Sequence, residues 1–456
     1  NNNNTKMDCI TTKDKYDDNE EEEAWLKLMS TATPPIDVTS SSSFVKSLEC
    51  LTKLNLPGCG LSSFPSTFAT YLPNLSILFC SNNQFKELPP VVGLCPKLQM
   101  ISFKSNGMVR IHPDGLRPQL RWLILTDNNL TSLPKEIGRL PLLQKLMLSG
   151  NRLTELPSEM SNCRNLELVR LASNQLSEPP IALLQLPNLA WVGLSDNPFL
   201  HDITNTNNER QTPLLTLDDP TLEDEDAGEI LGSGASGVIR KAYWKDRGVN
   251  VAVKAYVSNN MTSDGKPDQE RMLSLAVSTI KSPNLIRLYG QTPSPKKSLV
   301  MELLHNYFPL AGPPGMETCS RDVYSVKERI TTSEDARKVL RGLLRVMVEL
   351  HGRGIMHGDF YGHNILISTD KEVESKLSDF GSAFFYDTNE NYGAYLERIE
   401  LRAFTILVDE IISLVEENNE EHNNEKELQL LKEWSSICHS ESTTFLALEE
   451  AWDKTQ

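Results

Sequence analysis

The feature that most constrains this chain is a leucine pattern that occurs seven times in register. The template LxxLxLxxNxL begins at Leu51, Leu75, Leu98, Leu120, Leu143, Leu166 and Leu189, a step of 22 to 24 residues. Its ninth position is asparagine in six copies and Cys59 in the first. One copy cannot bury its own apolar face, so the copies must stack with their leucines inside. The sequence therefore predicts a solenoid of seven repeats over residues 45–205, in which each asparagine bonds backbone groups of a neighbouring turn.

The repeats also predict a binding surface. The pattern resembles the intracellular leucine-rich repeats of the 23-residue kind, in which strand residues that alternate with the buried leucines face the concave side. Apolar side chains occupy several of these positions: Ile77, Phe79, Trp122, Met147 and Trp191. Exposed apolar patches of this kind usually meet a protein partner. Two alternatives stay open, namely scattered surface hydrophobic residues and docking of the chain's own second domain.

Length and composition indicate how the chain is divided and which partners it excludes. A chain of 456 residues is too long for one ordinary domain. Residues 1–44 are polar and acidic, which predicts a disordered N-terminal segment. The composition of residues 206–221 predicts a linker, and residues 222–456 are left for a second folded unit. The net charge of −16 argues against nucleic-acid binding and against attachment to anionic membranes, since both depend on basic surfaces.

The cysteine spacing indicates the compartment. The eight cysteines contain no CxxC pair and no metal-ligand spacing, which favours free thiols in a reducing, intracellular and cytoplasmic location. No apolar run reaches the roughly 18 to 20 residues that a membrane-spanning helix needs. The chain opens with four asparagines and not with Met, so we expect that an N-terminal segment, with any targeting signal, is missing.

The second unit carries polar residues at the spacing that phosphoryl transfer requires. His357-Gly358-Asp359 is followed by Asn364, five residues after the aspartate, and Asp379-Phe380-Gly381 comes fifteen residues later. Asp359 can face an acceptor hydroxyl while Asn364 and Asp379 hold a Mg²⁺ that bridges the phosphates of a nucleotide. Such hard oxygen ligands suit Mg²⁺. The spacing therefore predicts transfer of a phosphoryl group from ATP.

Further motifs upstream occur in the matching order. The glycine-rich stretch Leu231–Ile239 contains GxGxxG, and Val251-Ala252-Val253-Lys254 places a lysine seventeen residues past Gly237. Glycines let the backbone of a hairpin close over phosphates, and Lys254 can neutralise their charge. The stretches SPNLIRLYG (282–290) and LVMELL (299–304) follow.

This order of motifs resembles the protein-kinase fold over residues 222–456. The resemblance implies Asp359 as catalytic base, Lys254 and Asn364 beside it, and Asn364 and Asp379 as magnesium ligands. Glu270 is the candidate partner of Lys254, with ordinary surface placement as the alternative. Met301 would be the gatekeeper, and the residues implied in nucleotide binding are Leu231, Gly232, Ser233, Gly234, Ala235, Ser236, Gly237, Ile239, Lys254, Met301, Glu302 and Leu304. The predicted fold class is an α/β leucine-rich-repeat solenoid followed by an α+β two-lobed protein-kinase-like domain.

The sequence departs from the kinase pattern in two places. The loop has His-Gly-Asp instead of His-Arg-Asp, so the arginine that would meet a phosphorylated activation loop is absent. The span from Asp379 to Glu400 holds only about twenty residues and no Ala-Pro-Glu, which removes most of the usual platform for a peptide substrate. These losses predict a reduced large lobe.

We therefore expect an ATP- and Mg²⁺-dependent protein kinase, Ser/Thr by default, whose repeats recruit a protein partner or substrate. Two alternatives remain. A pseudokinase scaffold would fit the shortened segment, although all four of Lys254, Asp359, Asn364 and Asp379 are present. A small-molecule phosphotransferase similar to the aminoglycoside and choline kinases would share the HGDxxxxN pattern but not the glycine-rich loop or VAVK.

Overall fold

The computed structural model describes residues 48–200, 217, 222–257, 261–324, 330–368, 370, 372–417, 425–440 and 443–454. The predicted N-terminal segment 1–44 lies outside the described residues, as does the predicted linker 206–221 except for residue 217.

The first described part is a solenoid on a seven-stranded parallel sheet, with one strand from each repeat. The strands in chain order are β1 Lys53–Asn55, β2 Ile77–Phe79, β3 Glu87–Leu88, β4 Met100–Ser102, β5 Arg110–Ile111, β6 Trp122–Ile124, β7 Lys145–Met147, β8 Leu168–Arg170 and β9 Trp191–Gly193. The sheet order is β1-β2-β4-β6-β7-β8-β9, and β3 pairs separately with β5. Short helical pieces complete the turns: α1 Phe68–Tyr71, α2 Ile181–Leu184 and 3₁₀ turns at Pro90–Leu94, Pro113–Gly115, Lys135–Arg139, Ser158–Asn162 and Pro198–Leu200.

Two sets of side chains hold the repeats together. The central residue of each strand is buried in one continuous apolar core, as Leu123 and Leu146 illustrate. The asparagines bond the backbone as the repeat pattern predicts: Nδ2 of Asn151 donates to the carbonyl of Leu125 one repeat earlier at 2.9 Å. Its Oδ1 accepts from the amide of Leu130 at 3.0 Å. Each repeat is thus tied to its neighbour by both apolar contact and buried hydrogen bonds.

The second unit begins with a small lobe built on a six-stranded sheet. Its strands are β10 Leu222–Glu223, β11 Ile230–Ser233, β12 Gly237–Trp244, β13 Val249–Tyr256, β14 Leu288–Gln291 and β15 Leu299–Glu302. One helix, α3 Pro267–Val277, packs with this lobe. Pro267 stands at its first turn together with Asp268 and Glu270, a composition that favours a helix N-terminus because proline needs no amide partner there and acids complement the helix dipole.

In the described residues of the large lobe there are four α-helices and two small sheets. Its elements are β16 Phe308–Pro309, α4 Ser333–Gly352, β17 Ile355–Met356, β18 Ile365–Ser368, β19 Glu374–Leu377, β20 Phe384–Phe385, α5 Asn391–Glu417, α6 Glu425–Cys438 and α7 Phe445–Asp453. The long helix α5 runs through the core, where Phe404 contacts Trp434 and Phe445 edge to face. In the part of the chain described, no helix combines the length and apolar character needed to cross a bilayer. No disulfide forms among the described cysteines.

The solenoid and the large lobe share their apolar cores. Met356, Phe384 and Leu396 of the large lobe belong to the same buried cluster as the repeat leucines. Conversely, Leu168 and Trp191 of the solenoid belong to the core cluster of the large lobe. Interfaces that resemble a divided core are typical of obligate contacts. The two units therefore form one body, with the concave side of the later repeats against the second domain.

This contact corrects the expectation that the concave apolar residues face water. Trp191 is 1% exposed and Trp122 is 8% exposed. Met147 packs against the large-lobe core, while Ile77 and Phe79 pack against a cluster that includes Trp122 and Cys319. The physical reason is the alternative left open by the sequence: the chain's own second domain occupies this surface.

Candidate nucleotide-binding and phosphoryl-transfer site

A cleft between the small and large lobes brings most of the predicted site residues together. An inner cavity of about 390 Å³ is lined by Leu231, Ile239, Met301, Asn364 and Asp379, among others. An outer cavity of about 240 Å³ lies under the glycine-rich hairpin and is lined by all of Gly232 to Gly237. Both cavities include Lys254, Glu270 and Asp379 in their walls. The arrangement offers a mostly apolar compartment beside a polar one.

Lys254 and Glu270 form an ion pair across the roof of this cleft. The ammonium of Lys254, on β13, contacts Oε1 of Glu270, on α3, and both side chains are largely buried. Burial raises the pKa of the Glu270 carboxyl, and the charge of Lys254 opposes that rise. An ion pair between this lysine and a carboxylate of the neighbouring helix is one of the two conditions for phosphoryl transfer in protein kinases. Of the two placements considered for Glu270, the structure shows the one facing Lys254.

The second condition concerns the Asp379-Phe380-Gly381 turn. Asp379 has a backbone φ of 57°, in the left-handed region, and its Oδ1 accepts from the amide of Gly381 at 3.1 Å. Phe380 is buried in the core that contains Leu273 and Val277 of α3, and its ring lies 4.9 Å from that of His357. Because the phenylalanine fills the core, the carboxylate of Asp379 lies in the wall of the cleft.

The catalytic loop places Asp359 next to Asn364. Nδ2 of Asn364 donates to Oδ2 of Asp359 at 3.0 Å and to its backbone carbonyl at 2.9 Å. His357 supports the loop from inside, since its Nε2 donates to the carbonyl of Ser378 at 3.0 Å while its Nδ1 accepts from the amide of Asp359. Asn364 lines the inner cavity, whereas Asp359 is not in its wall. Lys254, Asn364 and Asp379 thus line one cleft, and Asp359 is bonded to it through Asn364.

A buried carboxylate that the sequence analysis did not assign anchors this loop. Glu400, on α5, is 1% exposed. It accepts from the amides of His357 at 3.0 Å and Gly358 at 2.6 Å, and from His351 at 2.7 Å. Burial alone would raise the pKa of Glu400, but these donors bring it below the ordinary value. The sequence offered one indication of this role, the position of Glu400 in the helix that follows the shortened segment after Asp379.

Two further residues at the site come from places that the motifs do not cover. Arg170, at the end of β8 in the solenoid, donates from Nε to Oδ1 of Asp264 at 2.8 Å and from Nη1 to the carbonyl of Gly358 at 3.1 Å. Its Nη2 also contacts Oδ1 of Asp359. Burial raises the pKa of the Asp359 carboxyl, and the guanidinium of Arg170 opposes that rise. Burial also raises the pKa of the Asp264 carboxyl, but Arg170 and the hydroxyl donors Ser382 and Ser263 bring that pKa below the usual value.

The glycines of the hairpin differ in what they require. A Cβ on Gly237 would lie 2.2 Å from the carbonyl oxygen of Ala255, so this glycine is needed for the pairing of β12 with β13. A Cβ on Gly234 would meet nothing within 4 Å, which leaves that part of the hairpin open over the outer cavity. Gly234, and not Gly237, therefore has the free surface that phosphates would approach.

The predicted adenine side is matched in part. Met301 lines the inner cavity, but Glu302 and Leu304 are not in its wall. The amide of Glu302 donates to the carbonyl of Arg287, and its carboxylate pairs with Lys376 at 2.8 Å. The amide of Glu302 is thus already used between strands, and the predicted contact of residues 302–304 with a nucleotide through backbone groups stays a prediction.

The solenoid explains the glycine in His-Gly-Asp. Gly358 has a φ of 75°, and a Cβ there would lie 2.6 Å from the carbonyl oxygen of Val192 on β9. The same atom would lie 2.8 Å from the carbonyl oxygen of Ser382. Next to it, Nε1 of Trp191 donates to the carbonyl of Phe360 at 3.0 Å. No larger residue fits between the catalytic loop and the solenoid backbone.

Comparison with family models agrees with this architecture. Residues 226–406 match the model described as protein kinase domain, and residues 118–176 match the model described as leucine rich repeat.

Similar proteins with curated descriptions include kinases of several architectures. A CBL-interacting serine/threonine-protein kinase of Arabidopsis thaliana is 29% identical over 34% of this chain and 32% of its own length. A cysteine-rich receptor-like protein kinase of the same plant is 26% identical over 46% of this chain and 32% of its own length. A probable LIM domain-containing serine/threonine-protein kinase of Dictyostelium discoideum is 28% identical over 34% of this chain and 22% of its own length.

This chain thus spans about a third or less of the length of these relatives. The match to the protein kinase domain model covers the glycine-rich hairpin, the catalytic loop and the Asp-Phe-Gly turn. The predicted fold class is confirmed: the chain is a leucine-rich-repeat solenoid followed by a protein kinase domain.

Proposed function

We propose that the chain is an ATP- and Mg²⁺-dependent protein kinase that transfers the γ-phosphate to protein hydroxyls, with Ser/Thr as the default acceptor. The observation that carries this proposal is the paired Lys254 and Glu270 beside an Asp379 whose phenylalanine neighbour is packed inside the core. Both features belong to the arrangement that protein kinases need for transfer. Two of the similar proteins are named as serine/threonine kinases.

The oxygen atoms around the cleft suit a magnesium ion. Asn364 uses its Nδ2 toward Asp359, and Asp379 uses Oδ1 toward Gly381, which leaves Asn364 Oδ1 and Asp379 Oδ2 for a cation. Magnesium is commonly held by one or two protein oxygens together with substrate phosphates and water. Asn364 and Asp379 would hold the ion, which when bound neutralises charge on the nucleotide phosphates.

The residues of the chain then have separate tasks. The hairpin around Gly234 covers the phosphates, and Lys254, oriented by Glu270, neutralises their charge. Asp359 orients the acceptor hydroxyl and takes its proton as the acceptor oxygen bonds to the γ-phosphorus and the bond to ADP breaks. The hydrogen bond from Asn364 fixes the carboxylate during this step.

A second candidate function is a nucleotide-binding scaffold without turnover. The observation in its favour is that Arg170 occupies one oxygen of Asp359 and Asn364 the other. The contact between the solenoid and the kinase domain also decides whether the repeats can recruit a substrate. Because the later repeats are buried against the kinase domain, recruitment of a substrate by Trp122 or Trp191 is no longer supported.

The test uses the full chain, since the solenoid and large lobe share their cores. The protein is incubated with Mg²⁺ and γ-labelled ATP, with and without a general protein acceptor and a set of small hydroxyl compounds. We expect label on protein, and loss of that label in both Lys254→Ala and Asp359→Ala with an unchanged far-ultraviolet spectrum.

The competing outcomes are distinct. Label only on small compounds would support a small-molecule phosphotransferase, and nucleotide-dependent thermal stabilisation without any transfer would support the scaffold. Transfer at the wild-type rate in either variant would refute the assignment of the site. Arg110→Gln is a suitable control, because Arg110 is exposed in the solenoid, pairs with Glu87 and belongs to no part of the candidate site.

A further inference from the structure

One arginine of the solenoid is bonded to both lobes of the kinase domain. Arg170 contacts Asp264, which precedes α3 in the small lobe, and Asp359 and Gly358 in the catalytic loop of the large lobe. Its side chain is only 2% exposed. Hydrogen bonds between ionised partners are roughly twice as strong as neutral ones. A single guanidinium therefore fixes the distance between two segments that lie 94 and 189 residues away in sequence.

Neighbouring contacts show that the solenoid supports the whole catalytic loop. The ring of Trp191 stacks on Tyr361 with centroids 4.1 Å apart, and Val192 backs Gly358. The loop from His357 to Asn364 contains no lysine or arginine of its own. The permanent cation at Asp359 is thus supplied by another domain.

The small lobe is held by the same surface. Oγ of Ser149 donates to the carbonyl of Ser263 at 2.6 Å, and Lys266 pairs with Asp196 at 2.5 Å. Ser382, which follows the Asp-Phe-Gly turn, donates to Oδ1 of Asp264 at 3.0 Å. The segment that leads into α3 is therefore fixed relative to both the solenoid and the turn that carries Asp379.

We propose that Arg170 is a positioning residue for phosphoryl transfer, which acts from the solenoid to orient Asp359 and to hold the segment before α3 at a fixed distance from the catalytic loop. This inference rests on the proposed kinase function. Arg170 does not touch nucleotide in this arrangement, because its donors are directed to two carboxylates and a carbonyl and it is not in the wall of either cavity. An acceptor can still approach Asp359, whose side chain keeps 18% exposure.

The experiment compares four variants of the full chain. Arg170→Gln removes the charge. Arg170→Lys keeps the charge but replaces the planar guanidinium, whose three nitrogens reach Asp264, Gly358 and Asp359 separately, by a single nitrogen. Gly193→Ala keeps the arginine but puts a Cβ 3.1 Å from Cδ of Arg170, so that the arginine side chain must shift by a few tenths of an ångström. Arg121→Gln is the matched control, because Arg121 also lies in the solenoid and bonds Gln144.

Initial rates are measured against ATP and against the protein acceptor, together with hydrogen exchange of the amides around Gly358 and Asp264. For Arg170→Gln we expect kcat to fall roughly 100-fold, as a small displacement of a reacting group can cause. The KM for ATP should stay within about twofold, since nucleotide contacts are unchanged. Arg170→Lys and Gly193→Ala should lie between the wild type and this variant, and Arg121→Gln should equal the wild type.

Several results would overturn the inference. An unchanged kcat in Arg170→Gln would do so, and a raised kcat would show that Arg170 blocks the acceptor side. If Arg170→Gln fails to fold, an unchanged kcat in folded Gly193→Ala overturns it. If the wild type transfers no phosphate, the proposed function fails. Hydrogen exchange then tests separately whether Arg170 fixes the segments around Gly358 and Asp264. Equal exchange rates in the wild type and Arg170→Gln would show that it does not.

Discussion

Replacement of Gly358 tests how closely the solenoid approaches the catalytic loop. Gly358→Ala must adopt a φ of 75° and place a Cβ 2.6 Å from the oxygen of Val192. Real Cβ atoms do not come that close to backbone oxygen, so strand β9 or the loop must move. The variant therefore reports on an approach between two domains and not only on a local turn.

The structure offers a control that separates the two costs. Gly60, in the first repeat, has a φ of 69°, and a Cβ there would meet nothing within 4 Å. In Gly60→Ala the free energy of unfolding should fall only by the cost of a left-handed backbone at a residue with a Cβ, about 1 to 2 kcal/mol. Gly358→Ala bears the same cost and, in addition, about 1 to 3 kcal/mol for overpacking. We expect Gly358→Ala to reduce the free energy of unfolding by roughly 2 to 5 kcal/mol in total.

The assay is urea unfolding of the full chain, followed by tryptophan fluorescence because Trp191 lies at this contact. The free energy of unfolding is compared for the wild type and both variants at the same pH and temperature. Equal losses in the two variants would refute the close approach, and with it the explanation for glycine in place of the arginine typical of protein kinases. Gly358→Arg should be worse than Gly358→Ala in the same assay.

Two further predictions concern buried side chains. Trp191→Ala should destabilise the chain by about 3 to 5 kcal/mol in urea unfolding, because it removes a fully buried indole that stacks on Tyr361 and donates to Phe360, and a loss below about 1 kcal/mol would contradict the described contact. Burial raises the pKa of Glu410 from 4.5 to about 7 while Tyr324 donates to it at 2.8 Å. The folded chain then binds a proton that the unfolded chain has lost, so wild-type stability should fall as pH rises from 4.5 to about 7. Glu410→Gln, which keeps an oxygen for Tyr324, should remove that part of the pH dependence, and the same slope in both proteins would contradict it.

The sequence predicted those parts of the molecule that local patterns encode. The seven strands occur at the predicted repeat positions because the alternation of leucines sets which side chains are buried. The placement of Lys254, Asn364 and Asp379 around one cleft follows from motifs whose spacing along the chain is itself the signal. Glu270 lies further from the Pro283 motif than the family spacing suggests, so the sequence left surface placement open, and the packing of α3 is what brings its carboxylate to Lys254.

The residues that sequence analysis missed depend on docking between distant segments. Arg170 follows the repeat pattern like any other concave residue, and nothing near it in sequence indicates that it meets Asp359. Glu400 gives no local signal beyond its position in α5, because its three donors come from the catalytic loop and from α4. The concave apolar residues were recognised as a binding surface, but their occupant could be identified only from the shared cores.

The departures from the kinase pattern are consistent with one cause, the presence of the solenoid. The segment after Asp379 is short, and at the catalytic loop Trp191 stacks on Tyr361 while the carbonyl oxygen of Val192 lies close to Gly358. Arg402 of α5 donates to the carbonyls of Leu186 and Leu189, so the last repeats are also bonded to the helix that holds Glu400. Without the solenoid the catalytic loop at Gly358 and Tyr361 would lose these contacts, and without the kinase domain Trp191 would lose them. Each unit therefore supplies the contact that the other lacks, and a change in either one alters the support of Asp359.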